Sequence, residues 1–209
     1  MHAPRPLSQT PLKRLRRGDL PVESRALARS LIGCVLARAI GGDLVTGRIV
    51  ETEAYLPNDP ACHAFTGKSA RNAVLFGPPH RAYVYLIYGT SFCFNVSSEE
   101  DGAGAGVLVR ALEPLSGIES MHRRRGGVAL RDLCRGPGRL CAALDIDRSF
   151  DGIDLFTDER LWLARLEGVR PPSVRASRRI GLTRAAERRL RYYHAGSPWL
   201  SGPAWLSPS

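Results

Sequence analysis

Apolar and polar positions alternate with a period of two through several stretches, the pattern of half-buried β-strands. The longest such stretch spans 44–55. Residues 83–96, YVYLIYGTSFCFNV, hold two β-prone arms around Gly89-Thr90 and predict a hairpin, because glycine accepts the positive φ of a tight turn. Shorter strands are expected at 34–39, at 107–112 (closed by Glu113-Pro114), near 154–156 and at 162–164. Leu20, Leu27 and Leu31 fall at helical spacing, with Pro21 near the first turn; they predict a helix over 19–30 that Gly33 stops. Further helical regions are expected at 116–122 and at 130–144, the latter interrupted by Gly136-Pro137-Gly138. Residues 60–80 read as a long polar loop, and a loop of that length in a compact domain is often functional. Residues 1–18 read as a flexible basic arm, and 19–209 as one domain. Helices and strands mix without regular βαβ alternation. The expected class is therefore α+β: a single domain with a curved, largely antiparallel sheet, a protruding β-hairpin and surrounding helices.

Composition narrows the partner. The chain of 209 residues is long enough for one full core, and its 44% hydrophobic and 24% charged content is ordinary for a soluble globular protein. Net charge is +10, and Lys13 and Lys68 are the only lysines. Codon bias explains arginine in place of lysine but not the excess over acid. An anionic partner with phosphate geometry is the better account. No run approaches the roughly 18 apolar residues of a membrane span, and the basic N-terminus is not followed by a signal-peptide core, so a cytoplasmic protein is expected, nucleoid-associated if prokaryotic. Five cysteines form no CxxC pair and no metal-ligand spacing, which predicts free thiols and neither metal nor cofactor.

Candidate chemistry starts on the strand GRIVETEAY. Simple alternation puts Ile49, Glu51, Glu53 and Tyr55 on one face. Two carboxylates on one face of a cleft repel each other, which suits general acid–base work; an ordinary ion pair on a solvated face is an equal alternative. Arg110 sits in the apolar strand VLVRAL and needs an acidic partner, Glu51 or Glu53. His63 follows in the loop, as a base, a capped loop histidine or a metal ligand, the last disfavoured because no second His or Cys stands at ligand spacing. Tyr88 stands next to a turn, either folded back on its own strand or held out for a partner. Flat rings at Tyr55, His63, Tyr85 and Tyr88, beside carboxylates in a basic protein, suit stacking on a base taken out of a duplex. Gly136-Pro137-Gly138-Arg139 offers either a phosphate site at a helix start or a plain helix start.

These stretches carry a resemblance. GRIVETEAYL, His63, YVYLIYGTSFCFNVSS, VLVRALEPLSG, LCRGPGRLCAAL and GSPWLS, in that order from about residue 27 to 200, resemble the alkyladenine (3-methyladenine) DNA glycosylase family. The resemblance implies a monofunctional enzyme, acting as a monomer on double-stranded DNA, that hydrolyses the N-glycosidic bond of damaged purines. It implies Glu53 as the base for the attacking water, Arg110 as the holder of that carboxylate, and Ile180 as a contributor through its backbone carbonyl. Tyr55, His63 and Tyr85 would sandwich the flipped base, and Asn95 would crowd the 2-amino group of guanine. Tyr88 would enter the minor groove, and Arg139 would lie near the DNA backbone. A damaged-DNA binder without catalysis and an RNA-binding or RNA-processing module are the rival readings. One geometric tension follows: a two-residue turn at Gly89-Thr90 pairs Tyr85 with Phe94 and sends Asn95 to the other face. A shared pocket therefore requires a bulge or a longer turn.

Overall fold

A computed structural model describes residues 6–203 and 205. The organising element is one antiparallel sheet in the order β1 (Leu12–Arg14), β7 (Leu161–Leu166), β2 (Val35–Ile40), β3 (Asp43–Tyr55), β6 (Ala105–Ser116), β5 (Ser91–Ser98), β4 (Ala82–Ile87). Two further strands, β8 (Val174–Ser177) and β9 (Arg191–His194), branch from it. β2 lies along β3 only as far as Arg48; from Glu51 to Glu53 that edge of β3 is taken by β9. The middle of β3 is thus flanked by β6 and β9, which is why its charged residues are sealed.

Alternation sorts side chains between the two faces. On β4, β5 and β6, Ala82, Val84, Phe94, Val96, Val107 and Val109 enter the main core. That core is closed by α1 (Ser24–Leu31) and α3 (Pro137–Leu144), which bury Leu27, Leu31, Leu140 and Leu144. The intervening Tyr83, Tyr85, Cys93 and Leu108 form a second cluster, roofed by Cys62, Ala64 and Leu75 from the long loop.

Several expectations are corrected. The first helix begins at Ser24, not at residue 19, because the Glu23 carboxylate accepts the N–H groups of Arg25 and Ala26 and so caps it. Residues 12–14, expected in a loose arm, pair with β7, and Leu15 is buried; residues 1–5 of that arm lie outside the described residues. Residues 154–156 form no strand: Asp154 makes a single bridge to Arg81, and its carboxylate accepts from Phe156 N–H in a turn. β6 runs on through Pro114 to Ser116 rather than closing there. The short helix near 116–122 is α2 (Ile118–Arg124), which starts two residues later and runs two residues further, through Arg123 and Arg124. The basic segment after residue 173 contains β8 and β9.

Ile49 does not share a face with Glu51. Register shifts between Ile49 and Glu51 and between Glu51 and Thr52 break the alternation, and Ile49 packs into the main core while Val50 joins Ala111, Tyr193 and Leu200. Opposite these shifts Ala111 pairs with Glu51 and Val109 with Thr52, leaving Arg110 as the extra residue of a bulge. The hairpin carries an extra residue too. Thr90 N–H donates to Ile87 O across Tyr88-Gly89, both at positive φ, and Ser91 then stands opposite Ile87. The turn is therefore one residue earlier than expected, with Thr90 in excess, and Tyr85 pairs with Cys93 and Tyr83 with Asn95. That register puts Tyr83, Tyr85, Cys93 and Asn95 on one side.

Candidate active site

The second cluster borders a cavity of about 460 Å³, room enough for a nucleobase. The sheet supplies Tyr55, Tyr83, Tyr85, Cys93, Asn95, Leu108 and Arg110 to its wall. The long loop supplies Ala61, Cys62, His63 and Leu75, and the segment after β8 supplies Ile180 and Gly181. The His63 ring stands edge-on to Tyr85, with centroids 4.4 Å apart at 67°, and its Nδ1 lies 3.1 Å from the Tyr83 hydroxyl. Burial, reinforced by the charge of Arg71, pushes the His63 imidazole below its ordinary 6.5, so the ring is neutral near pH 7. Burial likewise raises the phenols of Tyr55, Tyr83 and Tyr85; Tyr83 is pushed up to about 12. The cavity wall thus presents uncharged aromatic rings. Asn95 is nearly buried and donates from Nδ2 to Tyr83 O at 3.0 Å, which fixes its amide.

Glu53 lies behind this wall. It is fully buried and does not itself border the cavity, but the three groups that donate to it all do. Tyr55 Oη is 3.0 Å and Arg110 Nη1 3.2 Å from Glu53 Oε2, and Ile180 N is 2.7 Å from Oε1. A carboxylate has about four lone-pair directions, so one on Oε1 stays open. The Ile180 contact to Glu53 runs through its N–H. Burial alone would lower the pKa of Arg110, but the negative charges of Glu53 and Glu51 outweigh it and raise the value, so the guanidinium is permanently cationic.

Glu51 has a different place. Arg191 Nε (2.6 Å), Arg110 Nε (3.3 Å), Ser201 Oγ (3.0 Å) and Ser201 N–H (2.6 Å) all donate to it. Four donors make Glu51 an anchor for the C-terminal segment and for Arg110, and it does not border the cavity. The two carboxylates of one strand thus divide into a buried anchor and a group one hydrogen bond from the cavity.

Tyr88 occupies the hairpin tip beside the cavity mouth and is 89% exposed, so it is held out rather than folded back. Arg139 sits in the first turn of α3, half exposed and 3.0 Å from Asp132; its neighbours Pro137 and Gly138 border the cavity, but Arg139 does not. Sequence reasoning missed Tyr83, which was visible as the alternate partner of Tyr85. It also missed Asp59 and Arg179, whose pairing joins residues far apart in the chain and left no local signal. Among the described residues no three His, Cys, Asp or Glu side chains group as metal ligands, and no helix is long and apolar enough to cross a membrane.

An aromatic cavity thus lies one hydrogen bond from a buried carboxylate, on a basic protein. Comparison with known proteins places the chain. Residues 20–198 match the family model for methylpurine-DNA glycosylase. A protein of Mesorhizobium japonicum named "Putative 3-methyladenine DNA glycosylase" is 54% identical over 91% of this chain and 91% of its own length. The DNA-3-methyladenine glycosylases of Mus musculus and Homo sapiens are 50% and 48% identical over 84% of this chain, covering 57% and 63% of theirs. The chain belongs to the methylpurine-DNA glycosylase family, enzymes of base-excision DNA repair.

Proposed function

We propose that the protein extrudes alkylated purines from duplex DNA and hydrolyses their N-glycosidic bond with a water activated by Glu53. The observation that carries this reading is the position of Glu53, one hydrogen bond behind a cavity wall formed by its own donors Tyr55, Arg110 and Ile180. The open lone pair of Oε1 accepts a proton from the water as its oxygen bonds to C1′ of the deoxyribose. The N-glycosidic electron pair leaves with the purine. The carboxylate also opposes the positive charge that develops on the sugar. A purine alkylated at N3 or N7 is cationic, stacks well on neutral tyrosine rings and leaves readily. Flipping costs a few kcal/mol, and Tyr88 filling the vacated stack offsets part of it.

Among the described residues the cavity lining holds no lysine, which supports hydrolysis by water without a Schiff base and without strand cleavage. It holds no aspartate or glutamate either. Deaminated and etheno purines, whose neutral leaving groups need a proton, therefore form a slower, wider substrate set. The protein would act as a monomer on double-stranded DNA, with Arg139 against the backbone. The deciding experiment is Glu53→Gln: base release from a 7-methylguanine duplex falls by about 1,000-fold or more while an abasic-analogue duplex still binds. Retained release refutes Glu53 as the base. A native protein that binds a panel of lesion duplexes without releasing any base would favour the non-catalytic reading, and equal affinity for double-stranded RNA the RNA-binding one.

A further inference from the structure

Arg179 and Asp59 form an ion pair in which both side chains are fully buried. The contact is bidentate: Nη1 lies 2.5 Å from Oδ2 and Nη2 3.1 Å from Oδ1. Such a pair is weak support for folding, since desolvation cancels much of the attraction and an apolar pair of similar volume commonly does as well. Here the cost is higher still, because Arg179 Nε is buried with no hydrogen-bond partner among the described residues.

The geometry shows what the pair holds. Arg179 Nη1 donates to Ala54 O at 3.0 Å, the carbonyl between Glu53 and Tyr55. The guanidinium carbon lies 4.7 Å from the centre of the Tyr55 ring, a cation–π contact that sets the plane of a cavity wall. Arg179 is also the residue directly before Ile180, whose N–H donates to Glu53 at 2.7 Å. Asp59 in turn accepts from Ala61 N–H at 3.1 Å, and Ala61 borders the cavity. Two of the three donors to Glu53 therefore depend on one guanidinium.

We propose that the Arg179–Asp59 pair is the positioning element of this site, fixing the Tyr55 ring and the Ile180 amide against Glu53; the proposal rests on the reading of Glu53 as the base. Neither residue borders the cavity, so each acts through its neighbours. Loss of the pair leaves the DNA-facing surface intact but loosens the carboxylate's donors, and a carboxylate that loses donors is protonated more readily.

The test compares the full-length native protein with Arg179→Lys and with the double variant Arg179→Gln, Asp59→Asn, which leaves no buried charge unpaired. Titration with an abasic-analogue duplex counts competent molecules, and single-turnover release of 7-methylguanine is expressed per competent molecule. The double variant is expected to titrate normally, to release base at least about tenfold more slowly, and to show the acid limb of its pH–rate profile at higher pH. Arg179→Lys, which keeps the charge but loses the fork, should fall between the two, and it decides the matter if the double variant does not fold. A rate per competent molecule within about twofold of native, with an unmoved acid limb, overturns the proposal. If Glu53→Gln is inactive in the same assay, only the positioning role has failed; if it is active, the base assignment beneath it has failed.

Discussion

Arg110 lies 3.2 Å from Glu53 and 3.3 Å from Glu51, bridging two buried carboxylates that would otherwise repel each other across one strand. It does so from a bulge: neighbouring Val109 and Ala111 have partners on β3 and Arg110 has none. The Arg110 side chain is only 11% exposed, so its removal leaves two buried acids short of a partner. Arg110→Met is expected to cost roughly 3 kcal/mol in denaturant unfolding. It is also expected to slow single-turnover base release by about 100-fold. Release at the native rate would remove Arg110 from the site's working parts.

Tyr88 makes the opposite case. It is almost fully exposed, and its backbone sits at φ 54°, a conformation that disfavours any residue with a Cβ. Tyr88→Gly is expected to hold or raise stability by up to about 1 kcal/mol. Its affinity for a lesion duplex should fall roughly tenfold, read by fluorescence anisotropy. Unchanged affinity and unchanged base flipping would end the wedge reading.

A pH effect follows from His63. Folding depresses its pKa, so its neutral form is favoured in the folded state, and that contribution is lost as pH falls through the depressed value, below 6.5. Over the same range the ring gains a positive charge beside the cavity. Release of cationic 7-methylguanine should therefore decline relative to release of neutral hypoxanthine as pH falls below 6.5 and through that depressed value. Any effect common to both substrates cancels in the ratio. His63→Gln should flatten that ratio against pH; if it still slopes, another group is responsible.

Asn95 is fixed by its bond to Tyr83 O, so it cannot swing aside for a bulkier base edge. Asn95→Ala opens that edge. Release of guanine derivatives relative to adenine derivatives is expected to rise by about tenfold in a competition assay. A constant ratio would show that the discrimination lies elsewhere on the wall.

The residues of this site were legible in the sequence to different depths. Alternation alone found β3, the hairpin and the strand of Arg110, and it found both carboxylates as partners for that arginine. It misplaced Ile49 and the hairpin turn, because a bulge adds one residue without changing composition, and the parity of every later side chain depends on it. β9 was hidden for another reason. Arg191 and Tyr193 lie in the basic stretch RASRRIGLTRAAERRLRYY, yet both are buried, and Arg191 meets Glu51, a partner far away in the chain. Burial of charge is decided by such distant pairings, and no local pattern announces them.

Glu53 stands one hydrogen bond behind the cavity, held there by Tyr55, Arg110 and Ile180 of its wall. Tyr55, Arg110 and Ile180 belong both to the wall and to the hydrogen bonds of that carboxylate, whereas the hairpin side of the wall takes no part in those bonds among the described residues. Substitutions at Ile87 or Ser91, which border the cavity and pair with each other beside the hairpin turn, are expected to retune which bases are admitted while leaving the hydrolytic step unaltered. Such an arrangement lets related proteins diverge in diet without having to reinvent their chemistry.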